Sequence, residues 1–251
     1  MAARVTRRYI PRVRIRRHLS IALIACATAA GALRAQATGP NSIDQWWPEV
    51  DYFDKISDYS RFMLQALGAF GANSYSDNQQ YGLNVDFFQR QAKFAEAIGA
   101  ATLVQDRYKP GFLRVGYRYS ETVNADSGYT VQNRLLAEVS FIRKAGRFVA
   151  SDRNGFDWRW TNGDWSTRYR NRIYLQYSVG FRRYELTPYA NAEWYYSLQN
   201  DIWTGVKTEL GVQVPVADHF TTELYFGRSV SWDAAPQYTY ALGLTLVFTG
   251  K

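Results

Sequence analysis

Between Trp46 and Phe248 the chain alternates apolar and polar residues in segments of about ten residues, separated by breaks rich in Gly, Asp, Asn, Ser and Pro. The clearest segment is Arg168–Phe181. Its odd positions run through Tyr169, Ile173, Leu175 and Val179, whereas its even positions open with Arg168, Arg170 and Arg172. A helix, with a period of about 3.6, would mix these two sets, and a strand keeps them on opposite faces. Tyr238–Phe248, Val206–Val214, Phe220–Phe226, Leu135–Phe141 and Leu113–Tyr119 repeat the alternation. Leu186–Tyr196, Phe148–Trp160, Tyr81–Arg90, Phe62–Phe70 and Trp46–Phe53 follow it less cleanly, which makes eleven candidate strands in all. The weakly patterned Phe94–Val104 is a candidate twelfth, because eleven strands would leave the two chain ends on opposite sides of a membrane.

Strands of about ten residues exceed the five or six usual in soluble sheets. Their polar faces combine Gly, Ser and single charges of both signs, an unusual surface for a soluble sandwich. Aromatics gather near strand ends, at Trp46 and Trp47, Trp158 and Trp160, Tyr195 and Tyr196, and Tyr238 and Tyr240, where they are expected to form an interfacial girdle. The fold expected is therefore all-β, an antiparallel transmembrane β-barrel of ten to twelve strands. Short breaks at Lys144–Gly146, Arg182–Glu185 and Pro215–Asp218 alternate with longer ones at Ser120–Tyr129, Thr161–Ser166, Ser197–Asp201 and Ser229–Gln237. Short turns are expected in the periplasm, with the carboxyl terminus, and long loops outside.

Residues 1–37 look like a separate unit. A basic stretch ending at His18 leads into the apolar run Leu19–Leu33 and then into Ala35-Gln36-Ala37, the layout of a cleaved secretory signal. Residues 38–251 would then form the barrel domain. A second reading takes Leu23-Ile24-Ala25-Cys26 as a lipobox with lipidation at Cys26. A third takes Arg7-Arg8 or Arg16-Arg17 as a twin-arginine export signal. Cys26 is the single cysteine, so its removal would leave a mature chain without thiol chemistry or disulfides.

The same unit explains the charge. The net charge of +8 arises from 30 Lys+Arg against 22 Asp+Glu, and eight of the arginines lie in residues 1–37, which hold no acid. The remainder is neutral, which counts against nucleic-acid binding.

Candidate chemistry is sparse. Envelope hydrolases commonly use a histidine base, and His219 is the one histidine beyond residue 37. It follows Asp218 in an expected short turn, away from any lipid-facing wall, so no catalytic or metal site is assigned and no cofactor is expected. The constellation that remains is inward charge. Arg114, Arg118 and Arg134 share the polar face with Glu138; Arg153 and Arg159 share it with Asp157; Arg168, Arg170 and Arg172 form a ladder; and Glu193, Glu209 and Glu223 follow on later strands, with Glu49, Asp51 and Asp86 on earlier ones. Paired, these charges would hold a narrow lumen closed or nearly closed. Unpaired, the ladder would make a narrow anion-preferring pore. A lipid-modifying hydrolase is the third reading.

Four short motifs occur in order: Trp46-Trp47-Pro48-Glu49-Val50-Asp51, Leu113-Arg114-Val115-Gly116-Tyr117-Arg118-Tyr119, Tyr169-Arg170-Asn171-Arg172 and Leu186-Thr187-Pro188-Tyr189-Ala190. Through them the chain, roughly from Gln45 to Phe248, resembles the uncharacterised outer-membrane barrels grouped as domain of unknown function 2490. The resemblance implies residence in the outer membrane of a Gram-negative-type cell and carries over no catalytic residue. It implies as partners the outer-membrane lipids and lipopolysaccharide, and the barrel-assembly machinery during insertion. The ligand stays unknown.

Overall fold

The structure, a computed structural model, describes residues 42–71, 76–88, 111–124, 128–181, 184–232 and 237–250. The expected export signal, residues 1–37, and the candidate strand Phe94–Val104 lie outside these residues. Each alternating segment is a strand, longer than its apolar core suggested: β1 Ser42–Ser57, β2 Ser60–Gly71, β3 Ser76–Phe88, β4 Gly111–Asn124, β5 Gly128–Ala145, β6 Phe148–Thr161 and β7 Asp164–Tyr177. After a break at Ser178 the short β8, Val179–Phe181, continues the line of β7. The set is completed by β9 Tyr184–Ser197, β10 Ile202–Ala217, β11 Phe220–Ser231 and β12 Gln237–Thr249. Eleven staves close into one barrel.

Neighbouring staves pair antiparallel, with one exception. β1 and β12 run parallel, from Ser42 beside Tyr238 to Phe53 beside Thr249. The odd count is thus accommodated by a parallel seam, and Ser42 and Thr249 lie at opposite rims. The rim at which β1 begins is called upper here and the rim at which β12 ends is called lower.

The contrast in turn length is smaller than the sequence suggested. At the upper rim the expected long break Thr161–Ser166 contracts to Asn162-Gly163, with strand on both sides. Asn162 has φ 51° and Gly163 φ 99°, the pair of positive angles that a two-residue hairpin matched to strand twist requires. Ser120–Tyr129 likewise contracts, since strand continues to Asn124 and resumes at Gly128. The lower rim carries the two-residue turns Asp58-Tyr59, Gly146-Arg147 and Asp218-His219, and β3 ends and β4 begins at the same rim, with residues 89–110 between them in sequence.

Polarity is inverted relative to a soluble protein. Outward side chains such as Leu64, Leu83 and Leu210 are 46%, 52% and 60% exposed, whereas the inward Asp86 and Asp157 are fully covered and Glu138 is 1% exposed. All eight tryptophans lie toward the upper rim, and outward phenylalanines such as Phe62, Phe141, Phe148 and Phe220 lie toward the lower one. One polar island interrupts the outer belt. Asn171 donates to Asp152 at 2.8 Å and to Asn154 at 3.0 Å, and Asn154 donates to Asp152 at 3.1 Å. Mutual hydrogen bonding lowers the cost of setting these groups on an apolar face.

Inside the lower rim, the strand ends carry large apolar residues and form a floor. Phe53, Met63 and Val247 make one cluster, and Phe88, Phe112 and Ile142 make another with Val149 against it. The Arg61 guanidinium spans both, 4.5 Å from the Phe53 ring centre and 5.1 Å from that of Phe88, while its Nε donates to Asp86 at 2.9 Å. Cation–π contact and ion pairing together fix this bridge across the floor.

Candidate functional site: the charged lumen

Above the floor, register places the charges. Glu138 on β5 lies opposite Arg114 on β4 and opposite Gly155 on β6, and Gly155 in turn lies opposite Arg170 on β7. A Cβ at Gly155 would come within 2.8 Å of Glu138 Cγ. The missing side chain therefore lets Glu138 lean across β6 to accept from Arg170. Gly155 was not among the residues the sequence singled out; its signal was a glycine on the polar face between two charged strands.

Arg170 is the hub of the network. Besides Glu138 it reaches Asp157 at 2.9 Å and Glu193 at 3.0 Å, so one guanidinium meets carboxylates from three strands. Asp157 also pairs with Arg168 at 2.8 Å, and Glu193 pairs with Arg172 at 2.7 Å while accepting from the Tyr195 hydroxyl at 2.9 Å. Arg153 stands 3.8 Å from Glu138. Arg114 grips Asp86 with two hydrogen bonds of 2.6 and 2.9 Å. Such bidentate contact is the strongest mode of arginine–carboxylate pairing. Arg159 faces inward beside Arg134.

The wall formed by β9, β10, β11, β12 and β1 is built differently. Glu209 takes a salt bridge of 2.6 Å from Lys207 and a hydrogen bond of 2.6 Å from Asn191. Glu223 accepts from the Tyr189 hydroxyl and from Gln213 at 2.9 Å, and Glu49 accepts from Gln65. Rings seat on inward glycines here. A Cβ at Gly211 would come within 2.7 Å of the Tyr189 ring, one at Gly227 within 2.8 Å of Trp47, and one at Gly243 would overlap Tyr225.

These contacts correct the expected girdle at two positions. Trp47 and Tyr195 point into the lumen, Trp47 packing with Tyr189, Tyr225 and Ala241, and Tyr195 lying 4.6 Å beneath the Arg168 guanidinium. Adjacent residues of a strand face opposite sides, so only one member of each of the pairs Trp46-Trp47 and Tyr195-Tyr196 can look outward. Trp46, Trp158, Trp160, Tyr196, Tyr238 and Tyr240 are the outward ones, with Trp160 edge-on to Trp165 and Tyr196 edge-on to Trp203.

Between the walls lies a cavity of about 620 Å³. Its lining extends from the floor residues Phe53 and Val247 to Thr122, Thr130, Ser229 and Thr239 near the upper rim. Among the described residues no group of three or more His, Cys, Asp and Glu side chains is arranged to hold a metal ion. His219 sits exposed in the turn between β10 and β11.

The family described as protein of unknown function DUF2490 matches residues 74–239, from the connection before β3 to the first residues of β12. The chain belongs to the DUF2490 family. No curated protein and no solved structure matches it. The DUF2490 match spans the whole basic wall and all three acids that meet Arg170. It stops short of Trp47 and Glu49 on β1, so the seam lies beyond it.

Proposed function

We propose that this DUF2490 barrel is a non-enzymatic outer-membrane protein whose lumen is closed to through-flow by its floor and by the charge network around Arg170. The observation that carries the reading is the inversion of polarity. Outward Leu64, Leu83 and Leu210 are about half exposed, while charged side chains fill the interior. In water such a surface would drive association, and in a bilayer it is the required one. The strands also supply every backbone partner around a closed ring, which a lipid environment demands. The lower rim, with most of its turns only two residues long, faces the periplasm in this reading. The upper rim, rich in tryptophan, faces the outer leaflet and its lipopolysaccharide. Assembly then requires the machinery that inserts barrels.

Membrane placement is tested by migration on gels with and without boiling, and by substitution on the outer face. Leu210→Arg should cost about 2–4 kcal/mol, as an arginine does near the bilayer midplane. Recovery of the wild type as a soluble periplasmic protein would end the reading. Closure is tested by planar-bilayer recording, where a steady anion-selective current would replace the closed lumen with a pore. Assays on phospholipid, lipid A and peptide substrates should show no turnover, and hydrolysis abolished by His219→Ala would make the protein an enzyme.

A further inference from the structure

The arginines of the basic wall are not equally served. Arg168, Arg170 and Arg172 each have a carboxylate at 3.0 Å or closer. One row higher, Arg118 on β4 lies directly opposite Arg134 on β5, and Arg134 directly opposite Arg159 on β6. Like charges facing each other across adjacent strands repel. Asp157, the acid paired with Arg134, lies 3.8 Å from it and makes its closer contacts with Arg168 and Arg170. Among the described residues Arg118 forms no ion pair and no side-chain hydrogen bond, and the buried Nε atoms of Arg118 and Arg134 have no acceptor. Arg134 is nonetheless held in place, since its Nη2 donates to Gln132 at 3.0 Å. Both arginines line the cavity.

We propose that Arg118 and Arg134 form a binding site for an oxyanion, the phosphate or carboxylate group of a small solute that enters from the upper rim. Two forked donors on neighbouring strands suit the paired oxygens of such a group, and an anion between them offsets the repulsion along the row. The approach is neutral and polar. Ser120, Thr122, Thr130 and Gln132 line the cavity above the pair and offer hydroxyl and amide donors without a competing charge. In the closed-lumen reading proposed above, the apolar clusters at the lower rim end the passage, so the site is a blind pocket and not a step along a channel. A cavity of about 620 Å³ accommodates a metabolite-sized solute. The sequence pointed instead to Arg168, Arg170 and Arg172, whose charges are already met within the chain.

The test is calorimetric titration of the full barrel in detergent with inorganic phosphate and, separately, succinate, at constant ionic strength set by chloride. Saturable binding of one anion per chain is expected for at least one of the two. Binding of phosphate alone assigns the site to phosphate groups, and binding of succinate alone assigns it to carboxylates. Arg118→Gln should weaken binding by about tenfold or more, the loss expected for a charged hydrogen-bonding partner. Arg143→Gln, which alters an outward arginine of β5, should leave binding unchanged. Both variants should retain the heat-dependent gel shift of the folded barrel. Absence of saturable binding for both anions overturns the proposal, as does wild-type affinity in Arg118→Gln. Conductance is a separate reading: a barrel that conducts yet binds through Arg118 keeps the site and loses the closed lumen, and a silent barrel that binds nothing does the reverse.

Discussion

The two walls of the lumen solve the same problem by different means. Around β5, β6 and β7 charge is met by charge: Glu138, Asp157 and, from the edge of β9, Glu193 surround Arg170, and the flanking arginines share those acids. On β9, β10, β11, β12 and β1 the acids are met largely by neutral donors, Asn191, Gln213, Gln65 and Tyr189, and large rings fill the space over inward glycines. A charge network loses its balance when one member is removed, because the remaining ions stay buried. A wall of amides and rings responds instead to shape. The first wall should therefore be sensitive to charge and tolerant of modest changes in volume, and the second the opposite.

The largest expected effect is at the hub. Arg170→Ala removes the partner shared by three buried carboxylates and should cost about 3–5 kcal/mol, visible as a fall in the unfolding temperature with little change in conductance. Arg170→Lys should rescue only part of this, because a single ammonium cannot present the guanidinium fork to partners on three strands. On the opposite wall the sharper perturbation is steric. Gly243→Val thrusts a branched side chain into the Tyr225 ring and should cost about 1–3 kcal/mol, measured by denaturant unfolding of the folded barrel. Glu223→Gln keeps the shape and retains an oxygen acceptor for Tyr189, so its cost should stay near 1 kcal/mol or below. If Glu223→Gln proved as damaging as Arg170→Ala, the contrast between the walls would be wrong.

Much of this was legible from alternation alone. The inward register of Arg168, Arg170 and Arg172 follows from strand periodicity, because the opposite register would set all three against the apolar outer face. Trp47 and Tyr195 show how far the principle extends when applied strictly. Each belongs to an adjacent aromatic pair, and two-residue periodicity alone assigns one ring of each pair to the interior. Assigning both members to the girdle let composition override geometry. Asn162-Gly163 was equally available, as the residue pair that favours the tightest hairpin. The partners of Arg170 were legible only as a group, since which acid meets which base depends on inter-strand register, and on a glycine at position 155 that opens the path for Glu138. The floor was hidden for a related reason. Phe53, Phe88 and Phe112 fall on the polar faces of their strands and register as noise until the strand ends converge at one rim. Arg118 stands apart for what does not reach it, which no pattern along a single strand reports.

The parallel seam also bears on how such a barrel can be inherited. Gain or loss of a whole hairpin changes the number of staves by two, so a ring that is odd stays odd through any series of hairpin duplications or deletions. A ring of even count can be circularly permuted, because its two chain ends share a rim and a short linker joins them. Here a linker between Thr249 and Ser42 would have to travel the full height of the wall, through the lumen or across the outer face. The gene for this fold can therefore lengthen or shorten in pairs of strands, but re-cutting it at a new starting point demands a linker as long as the wall is high.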